Sequence, residues 1–135
     1  MRGIGIMRGM SPLPDLAPLV DCVVGRVAFD FQVTLNLASQ DGVYAQRVDA
    51  LLVIENDFTI THEGGRTDVN PGEQVNYAAV LPLLHKTLRR AAIEADDSLA
   101  LSFAGGFEVH VPRNDHYESW SLTGSGITGW IAGPR

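Results

Sequence analysis

The feature that most constrains the fold is a pair of alternating segments in the C-terminal half of the chain. Apolar side chains occupy every second position of Leu99–Phe103 and again of Phe107–Val111, with Gly105 and Gly106 between the two runs. Side chains on a β-strand point to opposite faces with a period of two, so each run presents one apolar face. A Gly-Gly break between two such runs predicts a hairpin, because glycine reaches positive φ without a steric penalty. With a short third run, Trp120–Leu122, the stretch predicts a three-stranded meander.

Similar runs of apolar residues continue through the rest of the chain. In the first of them Val27, Phe29 and Phe31 share one face. The turn signals Asp41-Gly42 and Gly64-Gly65 separate neighbouring runs, since Asp-Gly and Gly-Gly favour tight loops. The predicted strands cover residues 23–31, 33–37, 43–54 as one bent strand or two, 58–62, 88–94 and 127–131. Residues 88–94 could instead continue a helix that precedes them.

One helix is predicted, over residues 71–80. Asn70 is a candidate N-cap, a proline occupies the first helical position, and Glu73 follows three residues after the cap, as in a capping box. Pro82 lacks an amide hydrogen and clashes with the preceding turn, so we expect a kink or a second short helical turn over 81–86.

These elements predict an α+β fold. Residues 25–48 and 89–111 echo each other in their order of strands and turns. We therefore expect a mostly antiparallel β-sheet built from two β-meanders, with the one capped helix packed on a sheet face. Residues 1–21, which are rich in proline and glycine, are predicted to form a flexible N-terminal leader, and residues 22–135 a single domain.

Composition narrows the class of partner. The formal net charge is −6 and the isoelectric point about 5.0, which argues against nucleic acid, because phosphate binding needs a basic patch. A basic protein partner remains open, and solubility is the plain alternative reason for the charge. The single cysteine, Cys22, excludes an intrachain disulfide and fits a cytoplasmic protein. No stretch approaches the ~20 apolar residues that span a bilayer, so no membrane association is expected.

A histidine and carboxylate group near the C terminus is the first candidate for chemistry. His110, His116 and Glu118 could hold zinc with one position open for water, in a metal-binding enzyme or small-ligand binder. Zinc sites usually show tighter local spacing, such as His-Glu-x-x-His, which is absent here. We therefore predict ordinary surface residues, with no metal, no cofactor and no catalytic residue assigned.

A second polar group surrounds a predicted turn. His62 and Glu63 with Asp68 could form an acid/base pair if they folded beside Asp57. Nothing in their spacing demands this, and a solvated loop is the expected structure. Cys22 precedes an apolar strand, so a small buried residue is predicted rather than a nucleophile.

Tyr117, Glu118 and Trp120 form an aromatic-rich segment after a polar loop. Such a segment is typical of an interface anchor, or of the closing strand of a core. We expect Trp120 in the core and leave the other two open.

The C-terminal pattern resembles a family of small uncharacterised actinobacterial proteins. The shared features are a strand, a glycine-containing turn, a strand that ends Val-Pro, and then Tyr-Glu-x-Trp-x-Leu-x-Gly. In this chain they are Leu99–Phe103, Ala104–Gly106, Phe107–Pro112 and Tyr117–Gly124. Residues 24–39, 54–60 and 80–88 are similar to that family as well. The resemblance implies a family of unknown function, and similar small acidic domains are often immunity proteins that neutralise a toxin.

The function expected from these observations is protein binding without catalysis. The partner is a basic protein such as a toxin, and steering by acidic groups should make association sensitive to salt. The predicted partner-binding residues are the acidic and aromatic residues of turns and loops: Asp57, Glu63, Asp115, Tyr117 and Glu118. An alternative is a structural module in which an exposed edge strand pairs with a second copy, giving a homodimer.

Overall fold

Two five-stranded antiparallel sheets form the fold in the computed structural model, which describes residues 14–40, 47–116, 118–127 and the backbone of 130–131. In chain order the strands are β1 (Val23–Phe29), β2 (Val33–Ala38), β3 (Asp49–Ile54), β4 (Phe58–His62), β5 (Gly65–Val69), β6 (Leu88–Ile93), β7 (Leu99–Phe103), β8 (Phe107–Val111), β9 (Trp120–Ser125) and β10 (Trp130–Ile131). Sheet I has the strand order β10-β9-β3-β2-β1, and sheet II has the order β5-β4-β8-β7-β6. Two short 3₁₀ helices, η1 (Ala17–Leu19) and η2 (Tyr77–Leu83), accompany the sheets.

The predicted antiparallel architecture and its two meanders are confirmed. Strands β1, β2 and β3 are sequential neighbours in sheet I, and β6, β7 and β8 are sequential neighbours in sheet II. The α+β label fits only loosely, because so little of the described chain is helical. Within the ranges that the structure covers, no helix has the length and apolar character needed to cross a bilayer.

A single apolar core joins the two sheets. The alternation read from the sequence decides which side chains enter it: Val33, Leu35 and Leu37 of β2 are buried, while the residues between them are partly exposed. The same pattern holds in β7 and partly in β8. Burial of these alternating apolar faces supplies the main driving force for folding.

Backbone hydrogen bonds join β1, at the edge of sheet I, to the start of β6, at the edge of sheet II. The segment before β6 runs beside the start of β1, with Asp21 N donating to Leu88 O at 2.8 Å and Leu88 N to Cys22 O at 2.8 Å. Val24 N donates to Lys86 O at 3.0 Å in the same ladder. These bonds hold the two sheets in a fixed relation along one side of the core.

Part of the predicted leader packs against this domain. Leu16 and Leu19 are buried members of the core cluster, and Asp15 Oδ1 accepts a hydrogen bond from Ala17 N at the start of η1. Residues 1–13 lie outside the described residues, and their predicted flexibility stays a prediction.

The prediction of a helix over residues 71–80 is wrong. Asn70 Oδ1 does accept the Glu73 amide at 3.0 Å, but the chain then turns back, and Asn70 pairs with Val75 in an antiparallel bridge. Gln74 and Asn76 adopt positive φ, which an α-helix does not allow. The η2 helix begins only at Tyr77 and continues through Pro82.

The strand Trp120–Leu122, predicted as the third strand of a meander with β7 and β8, belongs to the other sheet. In the structure β9 pairs with β3, and Trp120 lies opposite Ile54. The connection 112–119 is longer than a tight hairpin loop, so it carries the chain from sheet II to sheet I. Strand β5 was not predicted at all, because its exposed Arg66 and Asp68 are typical of a solvated loop. Charged residues on an edge strand protect it from unwanted pairing.

The predicted apolar face of the first strand is also only partly buried. Val24 is the fully buried residue of β1, and the register shifts between Val24 and Arg26. Beyond this bulge Phe29 is 37% exposed, and Phe31 in the following hairpin is 68% exposed. Phe29 lies opposite the buried Val33 and therefore on the core-facing side of the sheet, so its exposure reflects the position of β1 at the edge of sheet I.

Candidate functional site

Five chain connections meet at one end of the two sheets, which we call the acidic end. They are the β1–β2 hairpin (30–32), the β3–β4 link (55–57), the loop after β5 (70–76), the β6–β7 turn (94–98) and the β8–β9 connection (112–119). Antiparallel neighbours alternate in direction, and the links 55–57 and 112–119 each run from one sheet to the other. Every second connection of each sheet therefore lies at the same end, and the two links between the sheets place the five connections named above together.

Carboxylates dominate this end. Arg113 is its one lysine or arginine among the described residues, and its side chain is 3% exposed and pairs with Asp97 at 3.2 Å. Hardly any fixed positive charge therefore reaches solvent here. The carboxylates of the five connections are Asp30, Glu55, Asp57, Glu73, Glu94, Asp96, Asp97, Asp115 and Glu118.

Cationic side chains gather toward the other end of sheet II. Arg66 lies at the start of β5, Lys86 precedes β6, and Arg89 and Arg90 lie in its first half. Ion pairs with nearby carboxylates neutralise Arg66 and Arg89 in part. The carboxylates of the acidic end are therefore the feature that favours approach of a cation.

Hydrogen bonds fix the corner where the chain crosses between sheets. Asn56 Nδ2 donates to Pro112 O at 3.1 Å, and Asn114 Nδ2 donates to Asn56 Oδ1 at 3.1 Å. The buried Ser119 accepts from Asn114 N at 2.7 Å through its hydroxyl, and its carbonyl accepts from Glu55 N. This network holds the β3–β4 link beside the β8–β9 connection.

The structure brings together three of the five predicted partner-binding residues. Asp57 follows Asn56, while Asp115 and Glu118 lie in the β8–β9 connection, and all three are exposed. Glu63 lies at the opposite end of β4, about 20 Å from Asp57 along an extended strand. Tyr117 lies outside the described residues.

An open groove of about 590 Å³ adjoins the acidic end on the outer face of sheet II. Its charged or titratable lining residues are Asp57, Arg66, Asp68 and His110, and Val75 contributes an apolar wall. His110 Nε2 lies 3.2 Å from Glu94 Oε1, and Arg66 Nε lies 3.1 Å from Asp68 Oδ1. The groove is thus lined by one ion pair, Arg66 with Asp68, and by His110, with the Asp57 carboxylate at its acidic edge.

The structure does not group His110, His116 and Glu118 into a metal site. His110 faces Glu94, whereas the backbone amide of His116 donates to Asn114 Oδ1 at 2.6 Å in the connection. Across the described ranges, no three histidine, cysteine or acidic side chains are grouped so that they could hold a metal ion.

The second polar group is dispersed as well. His62 stacks face to face on Phe107 with 3.8 Å between ring centroids, and its Nε2 lies 3.1 Å from Gly105 O. Asp57 is at the far end of β4 from His62 and Glu63, so the acid/base pair considered for this group does not form. Cys22 and Trp120 are both buried in the core as predicted, and burial, with the Asp21 charge, raises the pKa of the Cys22 thiol. A raised pKa makes this thiol a poor nucleophile.

Asp96 gives the acidic end a pH-dependent contact. Hydrogen bonds from the Ser98 hydroxyl and amide, the latter 3.1 Å from Oδ1, lower the pKa of Asp96 below its usual value. A lowered folded-state pKa stabilises the fold above the unfolded pKa of about 4, and this contribution is lost as pH falls through the folded value.

We expect Asp96→Asn to lower the urea midpoint of unfolding at pH 7, because the amide accepts the two Ser98 hydrogen bonds less strongly than the carboxylate. The difference from the wild type should shrink steadily from pH 5 to about pH 2. Glu118→Gln is the matched control, since it removes an exposed carboxylate from the same end. A difference that stays constant over this pH range would contradict the assignment.

Comparison with known proteins places the chain in a family. The model of a family of unknown function, DUF6188, matches residues 15–135. The chain belongs to this family. DUF6188 membership thus covers nearly the whole chain, including Leu16 and Leu19 of the buried N-terminal segment. No curated protein and no solved structure matches the chain. The predicted family of unknown function is confirmed, whereas the actinobacterial origin and the C-terminal pattern stay predictions.

Proposed function

We propose that this DUF6188 protein is a non-enzymatic binding domain whose acidic end binds a basic protein. The specific role that we propose is that of an immunity protein, which binds a toxin and neutralises it. The supporting observation is that nine carboxylates from five connections lie at one end of the two sheets. The one arginine among the described residues there has a buried side chain and pairs with one of the nine, Asp97.

The arrangement suits association with a cationic surface better than catalysis. Exposed carboxylates attract a basic partner over about 10 Å at 0.1 M salt and fix its orientation during encounter. The strands beneath them are hydrogen-bonded into two antiparallel sheets, and the Asn56–Asn114 hydrogen bond holds two of the connections in place. Ordered loops on a sheet scaffold lose little conformational entropy on binding.

Asp57 and Glu118 provide the direct test. In affinity enrichment from an extract of the native cell, the wild type should capture a basic protein. The double variant Asp57→Asn/Glu118→Gln should capture at least about tenfold less of that protein. Both side chains are exposed, so the variant should keep the stability of the wild type. Quantitative mass spectrometry of the retained proteins, scored by isoelectric point, is the measurement.

The matched control is Glu63→Gln/Glu108→Gln, which removes the same number of negative charges from exposed positions of sheet II away from the acidic end. It should retain the partner as the wild type does. Equal retention by both double variants would contradict the proposed surface, and enrichment of acidic proteins alone would contradict the proposed partner.

A further inference from the structure

Exposed apolar side chains lie within the acidic end. Phe31 at the tip of the β1–β2 hairpin is 68% exposed, Val75 in the loop after β5 is 46% exposed, and Phe29 is 37% exposed. Together with Tyr77 we call these residues the apolar tip. Large apolar residues gathered on an otherwise polar surface are typical of an interaction site.

The apolar tip is held in place by contacts between the two sheets. Phe29 and Tyr77 stack with 4.6 Å between ring centroids. The Tyr77 hydroxyl donates to Asp30 O and lies 3.0 Å from Pro71 O, and Gln74 Nε2 donates to Asp30 O at 3.3 Å. The hairpin and the loop are therefore fixed to each other before any partner arrives, which lowers the entropic cost of binding.

We propose that the apolar tip is the affinity-determining centre of the interface, and that it takes a basic protein surface presenting an apolar side chain beside lysine or arginine. This inference rests on the proposed function and names the chemistry of its partner. Interfaces concentrate binding energy in a few aromatic anchors surrounded by a polar rim. Phe31 is an exposed aromatic residue at an end rich in carboxylates, with Asp30 next to it in the chain.

Charge complementarity decides between a basic partner and a second copy of the chain. Asp30 adjoins Phe31, and Glu73 lies two residues before Val75. A twofold contact through the tip would set these carboxylates against the same carboxylates of the other copy, because an isologous interface joins a patch to itself. A cationic surface would instead pair with them.

A random twelve-residue peptide library displayed on phage is a probe that needs no native partner. We expect peptides selected on the wild-type protein to combine lysine or arginine with an aromatic or aliphatic residue. Phe31→Ser should weaken the binding of a selected peptide at least about 30-fold, mainly through faster dissociation, because anchors act on the bound state. Val75→Ser should also weaken the binding of that peptide.

Leu51→Ser is the matched control, since Leu51 is 38% exposed on the outer face of sheet I, away from the tip. It should leave peptide binding unchanged, and thermal melts will show whether each variant is folded. The inference would be overturned if no peptide were enriched or if the enriched peptides lacked basic residues. It would also be overturned if the Phe31 and Val75 variants bound a selected peptide as tightly as the wild type does.

Two outcomes separate this inference from the proposed function. If a native basic partner binds Phe31→Ser as tightly as the wild type but binds Asp57→Asn/Glu118→Gln weakly, the tip is not the anchor although the acidic end still binds. If sedimentation shows a dimer of the wild type that Phe31→Ser abolishes, a second copy covers the tip and the inference fails.

Discussion

Trp120→Ala is expected to lower the free energy of unfolding by about 3–5 kcal/mol. Trp120 is fully buried at the start of β9 and lies opposite Ile54 of β3, where the chain enters sheet I from the β8–β9 connection. Its removal leaves a large cavity in a close-packed core, and the surrounding strands can fill that space only partly. The apparent melting temperature should fall by about 10–20 °C.

Thr123→Ala is the control for this substitution, because Thr123 is an exposed residue of the same strand. It should change the free energy of unfolding by less than about 0.5 kcal/mol. If Trp120→Ala cost no more than Thr123→Ala in urea unfolding followed by circular dichroism, the assignment of Trp120 to the core would be wrong.

Gly124→Ala is expected to destabilise the fold by about 3 kcal/mol or more, because its backbone passes too close to β3 for any side chain. A Cβ at Gly124 would lie 2.2 Å from Asp49 O and 2.7 Å from Ala50 Cα, and its φ is +139°. The strand would have to move away from β3, and alanine would also be strained at that φ. Urea unfolding measures the loss.

Gly72→Ala is the matched glycine control. A Cβ there would meet only Asn70 Oδ1, at 3.5 Å, which is ordinary contact. This variant should retain the stability of the wild type. A Gly124 variant as stable as the Gly72 variant would show that β9 and β3 do not approach as closely as described.

Period-two alternation predicted most strands because it follows directly from burial. Val33, Leu35 and Leu37 mark β2 in the sequence, and they are buried for that reason. Local chemistry was less decisive at Asn70, whose side chain accepts the same Glu73 amide in a helix cap and in the observed turn. Only the backbone of the next residues, with Gln74 and Asn76 at positive φ, separates these two structures.

The candidate site was less predictable than the strands, because it depends on which connections share an end. Asp57 and Asp115 are far apart in the sequence, and only the crossing of the chain between sheets brings their connections together. Glu63 carries the same charge but lies at the other end of β4. The sequence pattern places Phe31 on a strand face, whereas in the structure it lies beyond the end of β1, in the β1–β2 hairpin, where it is exposed.

The salt dependence of association tests the central claim most directly. The association rate constant of the enriched basic protein should fall steeply between about 20 and 500 mM NaCl for the wild type and for Glu63→Gln/Glu108→Gln. For Asp57→Asn/Glu118→Gln the rate constant at low salt should be lower and its decrease with salt shallower. A wild-type rate constant that does not change with salt would contradict binding through the acidic end.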